Sequence, residues 1–536
     1  MHQIPLVERW FSWWQALPTQ KPRLSVFLAG TLLGAAFPPL SLPWLVWLAF
    51  PLLWGLTKAP RPYSRLYSAL LLWNLIGCYW LTLTALSAPN LSEAFISFVA
   101  GAAAIFLNPL LMLLPFFLWK KTSQLLRVSL SPWLFILWWG IYEQFHFRWE
   151  LTWSWLTVGF AWSEWGYWRQ LAEALGVMGL STWTLIGAAL VYEKKSMLLF
   201  GAWSFLLPGS LRLFSPKPVM GSARLVYAVQ PNIDPYTKFE EMPPEQQVSL
   251  LLRLLPSYPP AGSLVVLPET AIPIAVSLDR WREEELIQPF WNYVQRHRVN
   301  LLIGVVGYRY LPKGAALPAS ARSLPGGGGY ETYNAALLLR PDTFQVHIKG
   351  RLVPFVERAP YLELLTFLKK WHIDLGGGFG HFGKPQHQYS LTLYPDEVSL
   401  SLAICYESIF LHDLRRRTEN NLSYIAIITN DGWWKRSSGY WQHLSYGRLT
   451  AQALGVSAVR SANTGVSALI SSKGEVLRSL GYEERGRIEG LLAPQKAATF
   501  YYRFGEIGWG VLTTFACVIW LRQLYRFRRS SALSER

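Results

Sequence analysis

Seven apolar stretches precede residue 215, at roughly 24–39, 41–57, 66–88, 94–118, 129–147, 174–192 and 196–214, and an eighth lies near 507–525. Lipid offers no hydrogen bonds to a bare main chain, so runs of this length and composition are expected to cross a bilayer as helices. The pattern predicts a multi-span α-helical membrane domain over 1–215 and a final helix with a basic tail over 501–536. The first two stretches are short and divided by Phe37-Pro-Pro-Leu, which fits a helical hairpin with a tight turn. Leu6–Leu17, rich in Trp, reads as an interfacial segment or as an unstructured one. Nothing before residue 23 combines a continuous apolar core with a small-residue cleavage site, so no cleavable signal peptide is expected.

The charge pattern orients these spans. The net charge of +17 is not gathered on one soluble module, and many basic residues flank apolar segments instead. That distribution argues against a nucleic-acid partner and for the positive-inside bias. With the N-terminus inside, the cytoplasmic set holds Arg9, Lys21, Arg23, Lys58, Arg61, Arg65, Lys120, Lys121, Arg127, Lys194 and Lys195. The opposite short loops carry mainly Arg148 and Arg169, beside Glu143, Glu150, Glu164 and Glu173. Seven crossings then place residues 215–505 outside the cytoplasm, and the eighth returns the chain to Arg522, Arg526, Arg528 and Arg529.

From Ala223 the texture changes to short β-rich runs, such as Leu225-Val-Tyr-Ala-Val-Gln, Ser263-Leu-Val-Val-Leu, Val398–Ile404 and Tyr424-Ile-Ala-Ile-Ile-Thr. Helical patterns at Pro244–Leu255 and Trp281–His297 intervene, and hairpins are expected near 333–350 and 465–480. Together these predict a layered α/β domain over 216–500. Two Gly-rich loops, Pro325–Gly329 and Gly376–Gly380, lack the strand-then-helix context of a phosphate site and read as lids or turns.

Three chemistry-bearing residues each end an expected strand: Glu269 in Leu-Pro-Glu-Thr, Lys349 before Gly-Arg-Leu-Val-Pro-Phe, and Cys405 in Ile-Cys-Tyr-Glu. A carboxylate, a cation and a thiol converging on a carbonyl would supply base, oxyanion partner and nucleophile. Each residue alone has a plainer reading, as a solvated turn, a surface charge and an inert buried thiol. Of the three cysteines, Cys78 and Cys517 fall in apolar runs, which leaves Cys405 as the only thiol in soluble-type sequence. His347, His372, His381, His387 and His443 show no metal spacing, and neither a metal nor a cofactor is expected.

The local motifs extend this reading. Val266-Leu-Pro-Glu269-Thr-Ala-Ile-Pro, Lys349-Gly-Arg-Leu-Val-Pro-Phe-Val-Glu357 and Ile404-Cys405-Tyr-Glu407 resemble the nitrilase (carbon–nitrogen hydrolase) superfamily, and within it the membrane branch of apolipoprotein N-acyltransferases. Val229-Gln-Pro-Asn-Ile, Tyr333-Asn334, Thr429-Asn-Asp-Gly-Trp433-Trp and Arg460-Ser-Ala-Asn-Thr-Gly465 carry the same resemblance. It implies an α-β-β-α sandwich, a Glu269-Lys349-Cys405 triad and support from Glu357 and Glu407. Asn334, Tyr406 and Trp433 match positions that line the site. It further implies a phospholipid acyl donor, a diacylglyceryl-modified apolipoprotein as acceptor, and a multi-pass place in the bacterial inner membrane with the catalytic domain on the periplasmic side. Phe239 stands where the family commonly has Trp, Val356 where it has Gly, and Arg351 where it has His; Phe keeps the aromatic surface but loses the indole donor. A membrane-anchored amidase shares the same thioester step, and a non-catalytic scaffold would have no need of all three triad residues.

Overall fold

The near-continuous apolar strands of the soluble region are buried on both faces, as such runs require. In Arg224–Gln230, Val226 and Ala228 point into one core while Tyr227 and Val229 point into another. The computed structural model describes residues 6–88, 90–193, 197–214, 219–235, 237–367, 381–418, 421–496 and 498–534. By its internal contacts the chain forms two units, Met1–Tyr79 with Gly101–Ser215 and Phe504–Arg536, and Trp80–Ala100 with Pro216–Arg503.

The strands of the second unit, in chain order, are β1 Val219–Met220, β2 Arg224–Gln230, β3 Leu264–Val266, β4 Ile272–Ser277, β5 Asn300–Leu311, β6 Arg322–Ser323, β7 Gly329–Leu339 and β8 Phe344–Ile348. They continue with β9 Leu391–Leu393, β10 Val398–Ile404, β11 Tyr424–Thr429, β12 Ser457–Ala462, β13 Ser467–Ile470, β14 Val476–Leu480, β15 Gly486–Leu492 and β16 Gln495–Lys496. One sheet runs β15-β2-β3-β5-β7-β6, with β4 on β5 and β8 on β7; the other runs β14-β13-β12-β11-β10-β9. β2, β3 and β5 are mutually parallel, as are β10, β11 and β12.

The two sheets face each other across a core of Val226, Leu264, Leu302, Leu338, Leu400, Leu402, Ile404 and Ile428. Val248 and Leu251 of helix Pro244–Leu254, with Phe290 and Val294 of helix Gln288–His297, cover the outer face of the first sheet. Helix Ser438–Leu454 lies on the second, with Gly447 against Ile427. The layering is therefore α-β-β-α, as expected. The hairpins β7–β8 and β13–β14 also fall where the sequence placed them. The expected helix at Trp281–His297 is shorter: Trp281–Glu283 is a single 3-10 turn, and the helix starts at Gln288 with a proline in its first turn.

Four helices among the described residues, mostly within the first unit, are long and apolar enough to cross a membrane: Pro62–Leu86, Leu91–Leu125, Ala172–Tyr192 and Ile507–Arg526. The stretches expected at 24–39 and 41–57 form shorter helices, Pro22–Ala36 and Leu45–Leu56, and that at 129–147 forms Pro132–His146. Gly30 sets one of the closest approaches: a Cβ there would lie 2.7 Å from the Ala69 carbonyl oxygen of the neighbouring helix. Trp183 packs edge-to-face on Trp47 and Trp162, which are tilted against each other, with ring centroids 5.2–5.8 Å apart. Lys194, Lys195, His372 and the loop Gly376–Gly380 lie outside the described residues.

Candidate active site

Each of the three triad candidates leaves the end of a strand. Glu269 follows β3, Lys349 follows β8 directly, and Cys405 follows β10 directly. The Glu269 turn rests flat on β5, and only a glycine permits this. A Cβ on Gly304 would sit 2.4 Å from the Pro268 carbonyl oxygen and 2.7 Å from Glu269 Cα. Beneath the turn, the buried Lys238 ammonium donates to the Glu269 carbonyl at 3.1 Å and to Thr270 Oγ1 at 3.0 Å. Burial pulls Lys238 down from 10.5 to about 7, against the opposing pull of the Glu269 carboxylate.

Lys349 is 1% exposed and lies between two carboxylates, its Nζ 3.2 Å from Glu269 Oε1 and 2.8 Å from Glu357 Oε1. Asn334 on β7 bridges the same two oxygens through Nδ2, at 2.8 and 2.9 Å, and its carbonyl accepts the Lys349 main-chain N–H. Burial disfavours the ammonium, but the Glu269 and Glu357 carboxylates outweigh it and raise Lys349 above the usual lysine range. Lys349 is thus a fixed cation and not a proton carrier.

The two carboxylates differ in what they have left to give. Glu357 uses both oxygens, since Oε1 takes Lys349 and Asn334 while Oε2 takes the Val353 N–H at 2.7 Å. Glu269 spends only Oε1 on hydrogen bonds among the described residues.

Cys405 opens a 3-10 turn, Cys405–Ile409, and carries φ of +51°, a left-handed conformation that a side-chain-bearing residue rarely adopts. Its thiol is pushed up by burial and by Glu269, while Lys349 and the Thr429 hydroxyl draw it down by less. The resting group is therefore a thiol, which needs a base to become a nucleophile.

Glu407, fully buried, ties the Lys349 segment to the Cys405 segment. Its Oε1 accepts from the Gly350 N–H at 2.9 Å and from Arg417 Nη2 at 2.8 Å; its Oε2 accepts from the Ile404 N–H at 3.0 Å. Burial opposes its charge, but Arg417 and His347 hold it well below the usual carboxylate range. Tyr406 is buried with its ring edge-on to Phe410. Trp433 is partly buried on the turn Asp431–Trp434, and Phe239 is partly buried with the Lys238 ammonium 5.6 Å from its ring. The departing residue Arg351 pairs with Asp413 and stacks on Phe410.

Sequence reasoning named the triad and its carboxylate neighbours, but not Lys238, Arg417 or the buried set Asp431, His443 and Arg460. The last three stand in or near the quoted motifs, but neither metal spacing nor a Cys/His dyad can be read around the histidine without the fold. The first Gly-rich loop is a turn between β6 and β7, with Gly326, Gly327 and Gly328 all at positive φ.

Known proteins match this chain along both units. Residues 226–501 fit the family described as carbon-nitrogen hydrolase, and residues 29–190 fit the apolipoprotein N-acyltransferase N-terminal domain. A protein from Chlorobaculum tepidum named apolipoprotein N-acyltransferase is 30% identical over 83% of this chain and 86% of its own. Proteins of the same name from Geobacter metallireducens and Haemophilus influenzae are 27% and 24% identical, over 96% and 90% of this chain and 97% and 91% of theirs. Among solved structures, a Saccharomyces cerevisiae member of branch 10 of the nitrilase superfamily aligns with TM-score 0.35 and 14% identity, over 54% of this chain and 97% of its own. With both units matched and a relative of this identity aligned over most of both chains, the protein belongs to the apolipoprotein N-acyltransferase family.

Proposed function

We propose that the protein transfers an acyl chain from a membrane phospholipid to the α-amine of an S-diacylglyceryl-cysteine at the N-terminus of an apolipoprotein, through a thioester on Cys405. The observation that carries the mechanism is the unequal commitment of the two carboxylates. Glu269 keeps one oxygen for a proton, whereas Glu357 is fully occupied in holding Lys349 and the chain at Val353.

Glu269 takes the Cys405 proton, and the thiolate attacks the ester carbonyl of the phospholipid. Lys349 and a main-chain N–H beside Cys405 hold the oxyanion. Collapse breaks the acyl C–O bond, and the lysophospholipid alkoxide leaves with the proton from Glu269. The acceptor amine then attacks the thioester and gives its proton to Glu269, the C–S bond breaks, and Cys405 is reprotonated. This is a ping-pong reaction. Asn334 sets the distance between the two carboxylates, and Phe239, Tyr406 and Trp433 supply apolar surface for the substrates.

The charge asymmetry of the short loops supports a multi-pass place in the bacterial inner membrane, with 216–500 on the periplasmic side between the helices of 1–215 and the span and basic tail of 501–536. The outer leaflet on that side would supply the phospholipid donor. The test is to incubate purified protein with phospholipid labelled in one acyl chain, and then to add a diacylglyceryl-cysteine peptide. Label should reach Cys405 first and the peptide second. Label released only to water would identify a hydrolase, and acylation of the peptide by Cys405→Ala would overturn the thioester route. A reporter fused after Arg529 checks the orientation and should behave as cytoplasmic.

A further inference from the structure

One group of buried ionisable side chains takes no part in the chemistry above. His443 of helix Ser438–Leu454 and Asp431, just beyond β11, are fully buried, as is Arg460 of β12. Asp431 Oδ2 accepts from Arg460 Nη2 at 2.5 Å, and its Oδ1 accepts from the Thr429 hydroxyl at 2.9 Å. His443 Nδ1 lies 2.9 Å from Asp431 Oδ1 and 3.1 Å from Arg460 Nη2. On its far side, His443 Nε2 is 3.1 Å from the carbonyl oxygen of Cys405 and 2.9 Å from Ser408 Oγ. Burying an ion pair together with an imidazole costs free energy that an apolar trio would not, and this group ends on the main chain of Cys405.

We infer that His443 is a positioning residue: its Nε2–H donates to the Cys405 carbonyl and so fixes the plane of the Cys405–Tyr406 peptide, whose opposite edge carries the N–H that receives the oxyanion. The inference rests on the acyl-transfer reading above. A trans peptide holds its C=O and N–H on opposite edges of one plane, so pinning the oxygen aims the hydrogen. The plane needs pinning because Cys405 is left-handed, a strained conformation that persists only where its surroundings impose it. Burial and the Arg460 charge pull His443 below the ordinary imidazole value, so the ring is neutral and has one proton to place. Arg460 Nη2, which can only donate, lies 3.1 Å from Nδ1, and the Cys405 carbonyl, which can only accept, lies 3.1 Å from Nε2, so we place the proton on Nε2 against the competing Asp431 Oδ1 at 2.9 Å from Nδ1.

The test uses the full-length protein in phospholipid nanodiscs and compares His443→Gln, whose carboxamide can still donate to that carbonyl, with His443→Phe, which keeps a ring and donates nothing. Single-turnover thioester formation should fall about 10²–10³-fold in H443F, the cost of losing one oxyanion donor, at unchanged half-saturation for phospholipid. H443Q should stay within about tenfold of wild type on the same scale. Alkylation of Cys405 by iodoacetamide requires no oxyanion site and should be nearly equal in all three. Equal acylation by H443F and H443Q, or alkylation falling in step with acylation, overturns the assignment. A measurement on the wild type does not depend on either variant folding: the ¹⁵N resonances of His443 should report a proton on Nε2, and a proton on Nδ1 overturns the inference. If the wild type forms no thioester at all, the acyl-transfer reading fails and this assignment fails with it.

Discussion

Glu269 and Glu357 share one ammonium and one amide: Lys349 Nζ and Asn334 Nδ2 each reach an oxygen of both, at 2.8–3.2 Å. Their equivalence ends there, because only Glu357 also takes a main-chain N–H. The two amide substitutions are therefore expected to differ in kind. E269Q removes the base from both half-reactions and should abolish detectable thioester, a loss of about 10²–10⁴-fold or more. E357Q leaves the base in place and weakens only the hold on Lys349, so thioester should still form, more slowly than in wild type and faster than in E269Q. Intact-protein mass spectrometry after incubation with phospholipid distinguishes these outcomes. Equal losses would show that the two carboxylates act as one unit.

Gly304 contacts no substrate, yet it controls where Glu269 sits. A methyl group there meets the Pro268 carbonyl oxygen at 2.4 Å and Glu269 Cα at 2.7 Å, so the turn must lift. G304A is expected to fold and to lose about 10²-fold in kcat, the scale of a misplacement near 1 Å. Cysteine alkylation should change little, while the melting temperature falls modestly, because the clashing atoms are all main chain. Full activity in G304A would mean that the Glu269 turn is free to shift.

Arg417 leaves Glu407 with an unpaired charge if it is removed alone. Breaking a buried pair in this way costs about 3–5 kcal/mol. R417M should therefore lower the thermal midpoint of the catalytic unit markedly and reduce activity with it. In R417M/E407Q the carboxamide keeps one acceptor oxygen, and much of the lost stability should return. Thermal unfolding followed by tryptophan fluorescence reads both, and an R417M midpoint equal to wild type would remove Glu407 as a clamp.

Lys238 makes stability depend on pH. The folded protein holds it at about 7, while an exposed lysine stays protonated up to about 10.5, so between these values the unfolded chain binds the extra proton. Stability from this group rises with pH across that window and is at its lowest below about 7. Wild type should gain thermal midpoint between pH 7 and 10 relative to K238M, in which that slope is absent. Parallel pH profiles for the two proteins would contradict this.

The fold was legible where burial is two-sided. Strands such as Tyr424–Thr429 read as unbroken apolar runs because helices cover one face and the opposing sheet covers the other. Glu269, Lys349 and Cys405 could be singled out because each stands in a distinctive short motif. Gly304 gave no such signal, since a glycine within a strand does not reveal which loop crosses above it. Nor did Arg417, whose partner is fixed only when β8 and β10 come together around Glu407. His443 was noticed as a histidine, but its meaning depends on Asp431 and Arg460, which reach it from two neighbouring strand ends. The helical stretches lie close to the expected places, but Pro22–Ala36 and Leu45–Leu56 are shorter than hydropathy implied, because the connection over 37–44 takes residues from both.

The proposed reacting groups come from opposite halves of a sandwich: Glu269 and Lys349 leave strands of the first sheet, whereas Cys405 leaves the second. The gap between base and thiol is therefore partly a matter of core thickness, set by residues such as Leu302, Leu338 and Leu402 that no substrate meets. A methylene added to or removed from that inner layer acts on the catalytic spacing like a shim between two plates. Variation in catalytic rate among related chains can then originate in the hydrocarbon interior of the sandwich while every residue of the site stays the same.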